Sequence, residues 1–282
     1  MSYPNVNDMS ERFLNLFDND KGVSVSTTLA STRVVVTGAL GGIGISVVKK
    51  LNELGAHVIA VDLLPVDEAT SLLKEHGCSS STYAQVNLND EADVANFVTS
   101  FSNSIPDALV ALAGIVRSGD FIDQDVADIR AVIDTNLTSQ AVLTQHFLKI
   151  WKTNKVKGNI VFVSSWVDSV PWPGITSYTS SKAGLVALCR GVARENAQFG
   201  IRANLIAPGI VDVGMAAKQW REEPDYKRRA SRAIPLGRLQ KPEEVASGIA
   251  FLLSESALYM TGSRLLMDGG ASLYPLDPED VN

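Results

Sequence analysis

A tyrosine and a lysine stand four residues apart in the segment Tyr178-Thr179-Ser180-Ser181-Lys182. On a helix this spacing places both side chains on one face, where they can act together. A free phenol has a pKa of about 10, and a neighbouring ammonium lowers it by stabilising the phenolate. The pair could therefore exchange a proton with a substrate hydroxyl, although the spacing alone fits a solvated helix face as well.

A glycine-rich turn follows the apolar run VVV at residues 34–36, and a helical pattern begins within it. Glycines there allow positive φ and let the backbone approach a pyrophosphate, whose charge is favoured by the exposed N–H groups of a helix start. A glycine turn without a ligand is the alternative interpretation of such a motif taken alone. The residues of this loop predicted to contact a dinucleotide are Gly38, Leu40, Gly42, Ile43 and Gly44.

An aspartate closes the next apolar run, at residues 57–61. In this position the carboxylate of Asp62 can accept hydrogen bonds from both ribose hydroxyls of an adenosine. An additional 2′-phosphate would meet this negative charge, and neither Leu40 nor Leu63 offers a cation to hold it. The pattern therefore predicts NAD rather than NADP, the alternative being an ordinary acid at the end of a strand.

The elements that must position these groups alternate between short β-branched runs and helical patterns. Strands are predicted at residues 33–36, 57–61, 82–85, 108–111, 159–163, 202–206 and 264–267. Helices are predicted at residues 42–54, 91–101, 126–152 with a break near Asn136, 178–197 and 243–253. The order predicts the α/β class, as a single doubly wound (Rossmann) domain with a seven-stranded parallel sheet flanked by helices.

Domain boundaries follow from the same pattern. Residues 31–274 should form the Rossmann-type domain, with an N-terminal extension at 1–30 and a C-terminal tail at 275–282. In the extension, Phe13, Leu14, Leu16 and Phe17 could pack as a short amphipathic turn. The polar insertion at 213–235 stands just before the last helix and is a candidate substrate lid.

Composition narrows the classes of partner. The chain has 45% hydrophobic and 20% charged residues and a net charge of −6, which argues against nucleic acid and anionic membranes and favours a small-molecule substrate. Cys78 and Cys189 lack metal-ligand spacing, so we expect reduced thiols and no metal site. The acidic, polar first thirty residues do not resemble a signal peptide, and the longest apolar run is too short for a membrane span, so a soluble cytoplasmic protein is expected.

Further motifs extend the pattern on both sides of the tyrosine. Ser165 closes a predicted strand thirteen residues before Tyr178, and Asn136 stands in the sequence Asp-Thr-Asn-Leu at 134–137. The segments at 201–209, 237–244 and 259–270 complete the series. In this order, the motifs resemble those of the short-chain dehydrogenase/reductase family, over residues 32 to 271. The similarity is to NAD-preferring members of the kind that act on 3-oxoacyl groups or on sugars and polyols.

This resemblance implies a role for each matching residue. Tyr178 would exchange the proton with the substrate oxygen, and Ser165 would hydrogen-bond that oxygen. Lys182 would lower the pKa of the tyrosine and hold the nicotinamide ribose, while Asn136 would hold a water that links Lys182 to solvent. Ser164 is the less suitable serine, because its side chain should point to the opposite face of the strand. The hydride chemistry itself would belong to the cofactor.

The sequence departs from the family pattern at three places. The usual Asn-Asn-Ala-Gly reads Ala-Leu-Ala-Gly at 111–114, and Asn87-Leu88 replaces an Asp-Val pair, with the Asn87 carbonyl still able to accept from adenine. Val213 replaces a threonine that holds the carboxamide, which leaves the backbone of Val211 and Val213 to do so. The cofactor residues implied by the family are Asp62, Leu63, Asn87, Leu88, Ala113, Gly114, Tyr178, Lys182, Pro208, Gly209, Val211 and Val213.

The substrate pocket should be built from variable segments after Ser165 and Gly209. The residues expected to form its wall are Trp166, Trp172, Met215, Trp220, Arg221 and Tyr226. A sugar, polyol or other secondary alcohol is the predicted substrate. A 3-oxoacyl-thioester reductase is one alternative, which Asp62 disfavours because that class prefers NADPH, and a non-catalytic NAD sensor or scaffold is another.

Two further expectations concern charge and assembly. Cations cluster in the insertion, namely Arg221, Lys227, Arg228, Arg229 and Arg232. They form either a solvated helix face or a clamp on an anionic group of the substrate. The helical segments 126–152 and 178–197 resemble those through which family members pair, which implies a homotetramer or a homodimer.

Overall fold

Seven parallel strands form one sheet at the centre of the protein. The computed structural model describes residues 28–102 and 104–273, apart from the side chain of Met215. The strands are β1 (Arg33–Thr37), β2 (His57–Asp62), β3 (Thr82–Gln85), β4 (Ala108–Ala111), β5 (Asn159–Val163), β6 (Arg202–Pro208) and β7 (Arg264–Met267). Their order is β3-β2-β1-β4-β5-β6-β7, which confirms the predicted Rossmann-type sheet.

Helices cover both faces of this sheet. Their bounds are α1 (Gly42–Glu53), α2 (Val66–Glu75), α3 (Glu91–Thr99), α4 (Val126–Ile133), α5 (Ser139–Asn154), α6 (Thr176–Asn196), α7 (Gly214–Glu222), α8 (Pro224–Ala233) and α9 (Pro242–Leu253). None of the helices in the described ranges is long and apolar enough to cross a membrane.

Alternation along each strand divides the core into two layers. Val34 and Val36 pack with α1 and α9 on one face, whereas Val35 packs with α3, α5 and α6 on the other. Because helices cover both faces, the inner strands are apolar at nearly every position, and this is why they could be recognised from sequence. All three valines are fully buried.

Three elements show where the structure adds to or refines the sequence prediction. Helix α2 was not predicted, although its apolar residues are spaced as on one face of a helix, because the segment VDEATSLLKE is short and polar and buries only Ala69 and Leu73. The predicted helix 126–152 is α4 and α5 joined by a π-helical segment at Asp134–Thr138, so the break at Asn136 is confirmed. The insertion forms α7 and α8, which separate at Pro224, a residue that lacks an N–H and suits the first turn of a helix.

Candidate active site

A cavity of about 860 Å³ opens at the carboxyl ends of the strands. It lies where the strand order reverses, with β1 next to β4, which is where doubly wound sheets bind their ligands. The predicted cofactor residues that line it are Gly38, Leu40, Gly42, Ile43, Asp62, Leu63, Asn87, Leu88, Ala113, Gly114, Tyr178, Lys182, Pro208, Gly209, Val211 and Val213. The structure thus brings together sixteen of the seventeen positions predicted for the cofactor.

Gly44 is the exception, because it supports the loop without lining the cavity. A β-carbon on Gly44 would clash with the carbonyl oxygen of Gly38, so the absence of a side chain lets α1 start directly against the turn. Gly38 has φ of +64°, and a β-carbon there would lie 2.8 Å from the Ala113 Cα. Both glycines are therefore required by the close approach of backbone segments.

Gly42 marks where the loop meets the segment after β6. A β-carbon on Gly42 would lie 2.7 Å from the Cβ of Val213, so the valine packs directly on the glycine turn. The Val213 N–H donates to the Val211 carbonyl over 2.8 Å, and in this conformation it is not available to a carboxamide. The predicted backbone contact from Val213 would need this short turn to open.

Asp62 is held by the two backbone segments that border the adenosine end of the cavity. Its Oδ2 accepts from the Leu40 N–H over 3.0 Å and its Oδ1 accepts from the Leu63 N–H over 2.8 Å. Each carboxylate oxygen accepts one backbone hydrogen bond and can accept another, Asp62 lines the cavity, and the glycine turn leads into the start of α1. These groups fit a dinucleotide, with the ribose on Asp62 and the pyrophosphate at the helix start.

Thr37 replaces the contacts that the altered Ala-Leu-Ala-Gly segment lacks. Its hydroxyl donates to the Val110 carbonyl and accepts from the N–H groups of Leu112 and Ala113, at 3.1 and 3.2 Å. The Gln140 amide donates to the Ala113 carbonyl over 3.1 Å. The end of β4 is therefore tied to its neighbours by a threonine and a glutamine, which sequence analysis did not identify.

Three of the four predicted catalytic side chains meet in the cavity. Tyr178 and Lys182 lie on α6, and Ser165 lies directly beyond β5, where it caps a short turn at Trp166–Asp168. The Lys182 Nζ lies 5.5 Å from the centre of the Tyr178 ring and donates to the Val163 carbonyl over 2.9 Å. The arrangement brings a hydroxyl, a phenol and an ammonium to one surface of the cavity.

Burial dominates the proton affinities of this group. It raises the pKa of the Tyr178 phenol to about 12, while a hydrogen bond with the Ser165 hydroxyl lowers this pKa and the nearby Asp168 carboxylate raises it. Burial lowers the pKa of Lys182 to about 8, an effect that Asp168 opposes. Burial outweighs the lowering that was expected from Lys182, whose ammonium lies 5.5 Å from the ring centre, so the net shift of the Tyr178 pKa is upward.

Asn136 lies beside the cavity rather than on its wall. In the π-helical segment its side chain is fully buried, where its Oδ1 accepts from the Ile115 N–H over 2.7 Å. Its Nδ2 donates to the Ile115 carbonyl and to the Ser181 hydroxyl. Asn136 thus fastens the chain after β4 to α6, one residue before Lys182, and its link to Lys182 through water remains a prediction.

A buried ion pair fixes the turn that carries Ser165. Asp168, whose side chain is only 1% exposed, accepts from the guanidinium of Arg264 at 2.7 and 3.0 Å. It also accepts from the Ser164 hydroxyl over 2.9 Å, and that hydroxyl lies 3.1 Å from the Lys182 carbonyl. Ser164 is therefore used to hold the turn against α6, which leaves Ser165 for the substrate.

The substrate end agrees only partly with prediction. Trp166, Trp172 and Tyr226 line the cavity, and the two indoles pack edge to face with their centres 5.6 Å apart. Trp220 and Arg221, also predicted as wall residues, do not line the cavity. Trp220 packs against the small apolar cluster that contains Trp166 and Trp172, and the Arg221 guanidinium contacts the Asp212 carboxylate at 3.1 Å.

Several residues of this wall were missed or remain undescribed. The side chain of Met215 lies outside the described residues, so its contact with substrate stays a prediction. Wall residues that sequence analysis did not name as pocket residues include Ser118, Gly119, Asp120, Val167, Ile175 and Gln219, and Arg229, which it named only within a possible anion clamp, lines the wall as well. Among these residues only Arg229 could have been suspected from the sequence, because it belongs to the cationic cluster of the insertion. Within the described ranges no three histidine, cysteine or acidic side chains form a group able to hold a metal.

Comparisons with known proteins agree with this geometry. The family described as enoyl-(acyl carrier protein) reductase, a short-chain dehydrogenase group, matches residues 38–272. The 3β-hydroxysteroid dehydrogenase 1 of Eggerthella lenta is 32% identical over 88% of this chain and 96% of its own. The cis-4-hydroxycyclohexanecarboxylate dehydrogenase of Sinomonas cyclohexanicum is 35% identical over 84% of this chain and 94% of its own.

A solved structure gives the same result for the fold. A provisionally assigned 2-deoxy-D-gluconate 3-dehydrogenase from Agrobacterium tumefaciens, with bound NADP, superposes with a TM-score of 0.81 and 28% identity, covering 88% of this chain and 99% of that one. The family match over residues 38–272, the sheet order and the serine, tyrosine and lysine in one cavity lead to one assignment. The chain belongs to the short-chain dehydrogenase/reductase family, whose members are oxidoreductases that use NAD(P).

Proposed function

We propose that this protein transfers a hydride between NAD and a secondary alcohol or its ketone, with a sugar or polyol as the alcohol. The proposal is carried by one observation. The cavity that Ser165, Tyr178 and Lys182 line is also lined by the glycine turn and by Asp62, the residues that fit a dinucleotide. A sensor or scaffold would need only the dinucleotide-binding residues and not the serine, tyrosine and lysine. The Ser165 and Tyr178 side chains line the cavity, where a substrate oxygen could contact their hydroxyls, and Lys182 lies beside the Tyr178 ring.

Each catalytic group has a defined task in alcohol oxidation. The Ser165 hydroxyl hydrogen-bonds the substrate oxygen, and Tyr178 takes the hydroxyl proton as the carbinol hydrogen leaves. Lys182 stabilises the phenolate by its charge and holds the nicotinamide ribose, and Asn136 supports it through a bound water. The bound nicotinamide supplies the hydride acceptor. Trp166 and Trp172 exclude water from the reacting carbon and give a carbohydrate ring an aromatic surface.

A panel of alcohols tests the proposed reaction. The panel should contain sugars, polyols, sugar acids, hydroxysteroids and an acetoacetyl thioester, offered with NAD, NADP and their reduced forms and scored by the absorbance of reduced nicotinamide. We expect turnover of a secondary alcohol with NAD. Preferred turnover of the acetoacetyl thioester with NADPH would favour the 3-oxoacyl-thioester reductase instead. Binding of NAD without turnover of any compound would favour the sensor.

Replacement of Asp62 by alanine should narrow the preference for NAD over NADP. The change removes two ribose acceptors and a charge that would repel a 2′-phosphate, so KM for NAD should rise about tenfold or more while KM for NADP falls. Asp62→Asn is the matched variant, because it keeps the shape, removes the charge and converts one of the two acceptor oxygens into a donor. The ratio of kcat/KM for the two cofactors is measured. An unchanged ratio in both variants would show that Asp62 does not select the cofactor.

Assembly is the second property to be tested. We propose that the segments 126–152 and 178–197 pair two-fold copies of the chain, as the family resemblance implies, and form a tetramer or a dimer. Helix α6 carries both Tyr178 and Lys182, so pairing along it would stabilise the catalytic groups. Light scattering on the purified chain should report two or four copies. A monomer at concentrations that support full activity would refute the assembly.

A further inference from the structure

One cation of the insertion differs from the other four. Arg221 pairs with Asp212, Arg228 pairs with Asp225 at 3.4 Å, and Lys227 lies 5.9 Å from the centre of the Trp220 ring. None of these three lines the cavity, and neither does Arg232. Arg229, on α8, is the member of the cluster that does.

The surroundings of Arg229 are aromatic. The guanidinium carbon lies 5.3 Å from the centre of the Trp172 ring and 6.0 Å from that of Tyr226. Its Nε is shielded from solvent and has no hydrogen-bond partner among the described residues. No carboxylate in the described ranges pairs with it. A partly buried guanidinium in such a setting is stabilised by an anion that accepts from its planar N–H groups.

Arg229 stands on the side of the cavity where the reaction would occur. Trp172, its aromatic neighbour, packs on Trp166, and Trp166 directly follows Ser165. The other charged groups on the cavity wall are Lys182, which donates to a backbone carbonyl, Asp62 at the adenosine end, and the exposed Asp120. The described ion pairs include none between Arg229 and either acid, so its N–H groups are available to a ligand.

We propose that Arg229 binds the carboxylate of the substrate, so that the protein acts on secondary hydroxy acids in preference to neutral alcohols. A carboxylate matches the guanidinium because two parallel N–H···O bonds can form, and the Trp172 ring, 5.3 Å from the guanidinium carbon, restricts its position. A neutral polyol would leave this charge uncompensated. The inference rests on the proposed oxidoreductase function, which it narrows to one class of substrate.

Binding of two unreactive probes of equal size tests the assignment. Cyclohexanecarboxylate and cyclohexanecarboxamide are titrated into NAD-saturated protein, with tryptophan fluorescence as the signal because Trp172 contacts Arg229. The native chain should bind the carboxylate about tenfold or more tightly than the amide. Arg229→Gln should weaken carboxylate binding by about tenfold to a hundredfold and change amide binding far less. Arg229→Lys should bind the carboxylate with intermediate affinity, because lysine keeps the positive charge and lacks the planar pair of N–H donors.

Arg228→Gln is the matched control, since it removes an adjacent, exposed cation that lies outside the cavity. This control should leave both affinities unchanged, and circular dichroism should show a native fold in every variant. Equal weakening of both probes by Arg229→Gln would reduce Arg229 to a packing role and overturn the proposal. Equal affinity of the native chain for the two probes, or loss of carboxylate selectivity in Arg228→Gln as well, would also overturn it.

Turnover separates this inference from the proposed function. Gluconate and gluconamide differ at one group, and kcat/KM for a pair of this kind should favour the acid in the native chain and lose that preference in Arg229→Gln. Turnover of neutral alcohols without any carboxylate selectivity would overturn the inference and leave the oxidoreductase intact. Selective, Arg229-dependent binding of carboxylates in a chain that reduces no NAD would support the anion site and overturn the proposed reaction.

Discussion

Replacing Tyr178 by phenylalanine should lower kcat by about a hundredfold to ten-thousandfold, the range typical of a positioned acid or base. The variant loses one hydroxyl and retains the ring that packs beside Trp166 and Trp172 in the same apolar cluster, so the fold and the affinity for NAD should persist. Steady-state oxidation of the best alcohol of the panel, with NAD affinity measured by calorimetry, separates the two effects.

Tyr259→Phe provides the control for this loss. Tyr259 is fully exposed on the surface, so its variant removes an equivalent hydroxyl from a position remote from the cavity and should behave as the native chain. A Tyr178→Phe variant with near-native kcat would remove the tyrosine from the mechanism. A variant that fails to bind NAD would show that the phenol is needed for cofactor binding, so that the loss of kcat could not be assigned to proton transfer.

Alcohol oxidation should accelerate by about tenfold for each pH unit below the pKa of the catalytic phenol. The sign follows from the raised pKa of Tyr178, about 12 in this structure, which leaves the base protonated at neutral pH. Raising the pH increases the fraction of phenolate and hence the oxidation rate. Ketone reduction needs the phenol as proton donor and should therefore slow as the pH rises. Rates at saturating substrate from mildly acidic to alkaline pH measure both profiles.

The charge of Lys182 also affects how the rate of alcohol oxidation depends on pH. Its pKa, lowered by burial to about 8, implies that the ammonium loses its charge as the pH passes that value, which weakens its support for the phenolate. Lys182→Met should accordingly move the rise in oxidation rate to higher pH. A carbinol deuterium isotope effect shows whether chemistry limits the rate. A flat profile under that condition would exclude the Tyr178 phenol as the titrating base.

The sheet and the glycine loop could be predicted because each has a local cause. Strands buried on both faces must be continuously apolar, as β5 is, and Gly38 must be glycine because its φ is positive and Ala113 lies against it. The catalytic spacing was equally readable, since Tyr178 and Lys182 lie on one helix. These features depend on residues close together in the chain.

Other features of the site depend on tertiary packing and could not be predicted from the sequence. The contact of Val213 with Gly42 joins residues far apart in sequence, and the bond between the Val211 carbonyl and the Val213 N–H follows from the turn made there. No periodicity distinguishes Arg221 from Arg229, and only the packing of α7 and α8 against Trp172 turns one outward and the other into the cavity. Burial of Tyr178 likewise reversed the expected sign of its pKa shift.

Deuterium transfer tests the central claim most directly. The best alcohol of the panel is prepared with deuterium on its carbinol carbon and oxidised by the protein in ordinary water with NAD, and the reduced cofactor is analysed by mass spectrometry. Direct hydride transfer predicts one deuterium in each molecule of reduced cofactor formed, and none when unlabelled alcohol is oxidised in heavy water. Reduced cofactor that carries solvent hydrogen, or an alcohol that is never oxidised while NAD binds normally, would contradict the account.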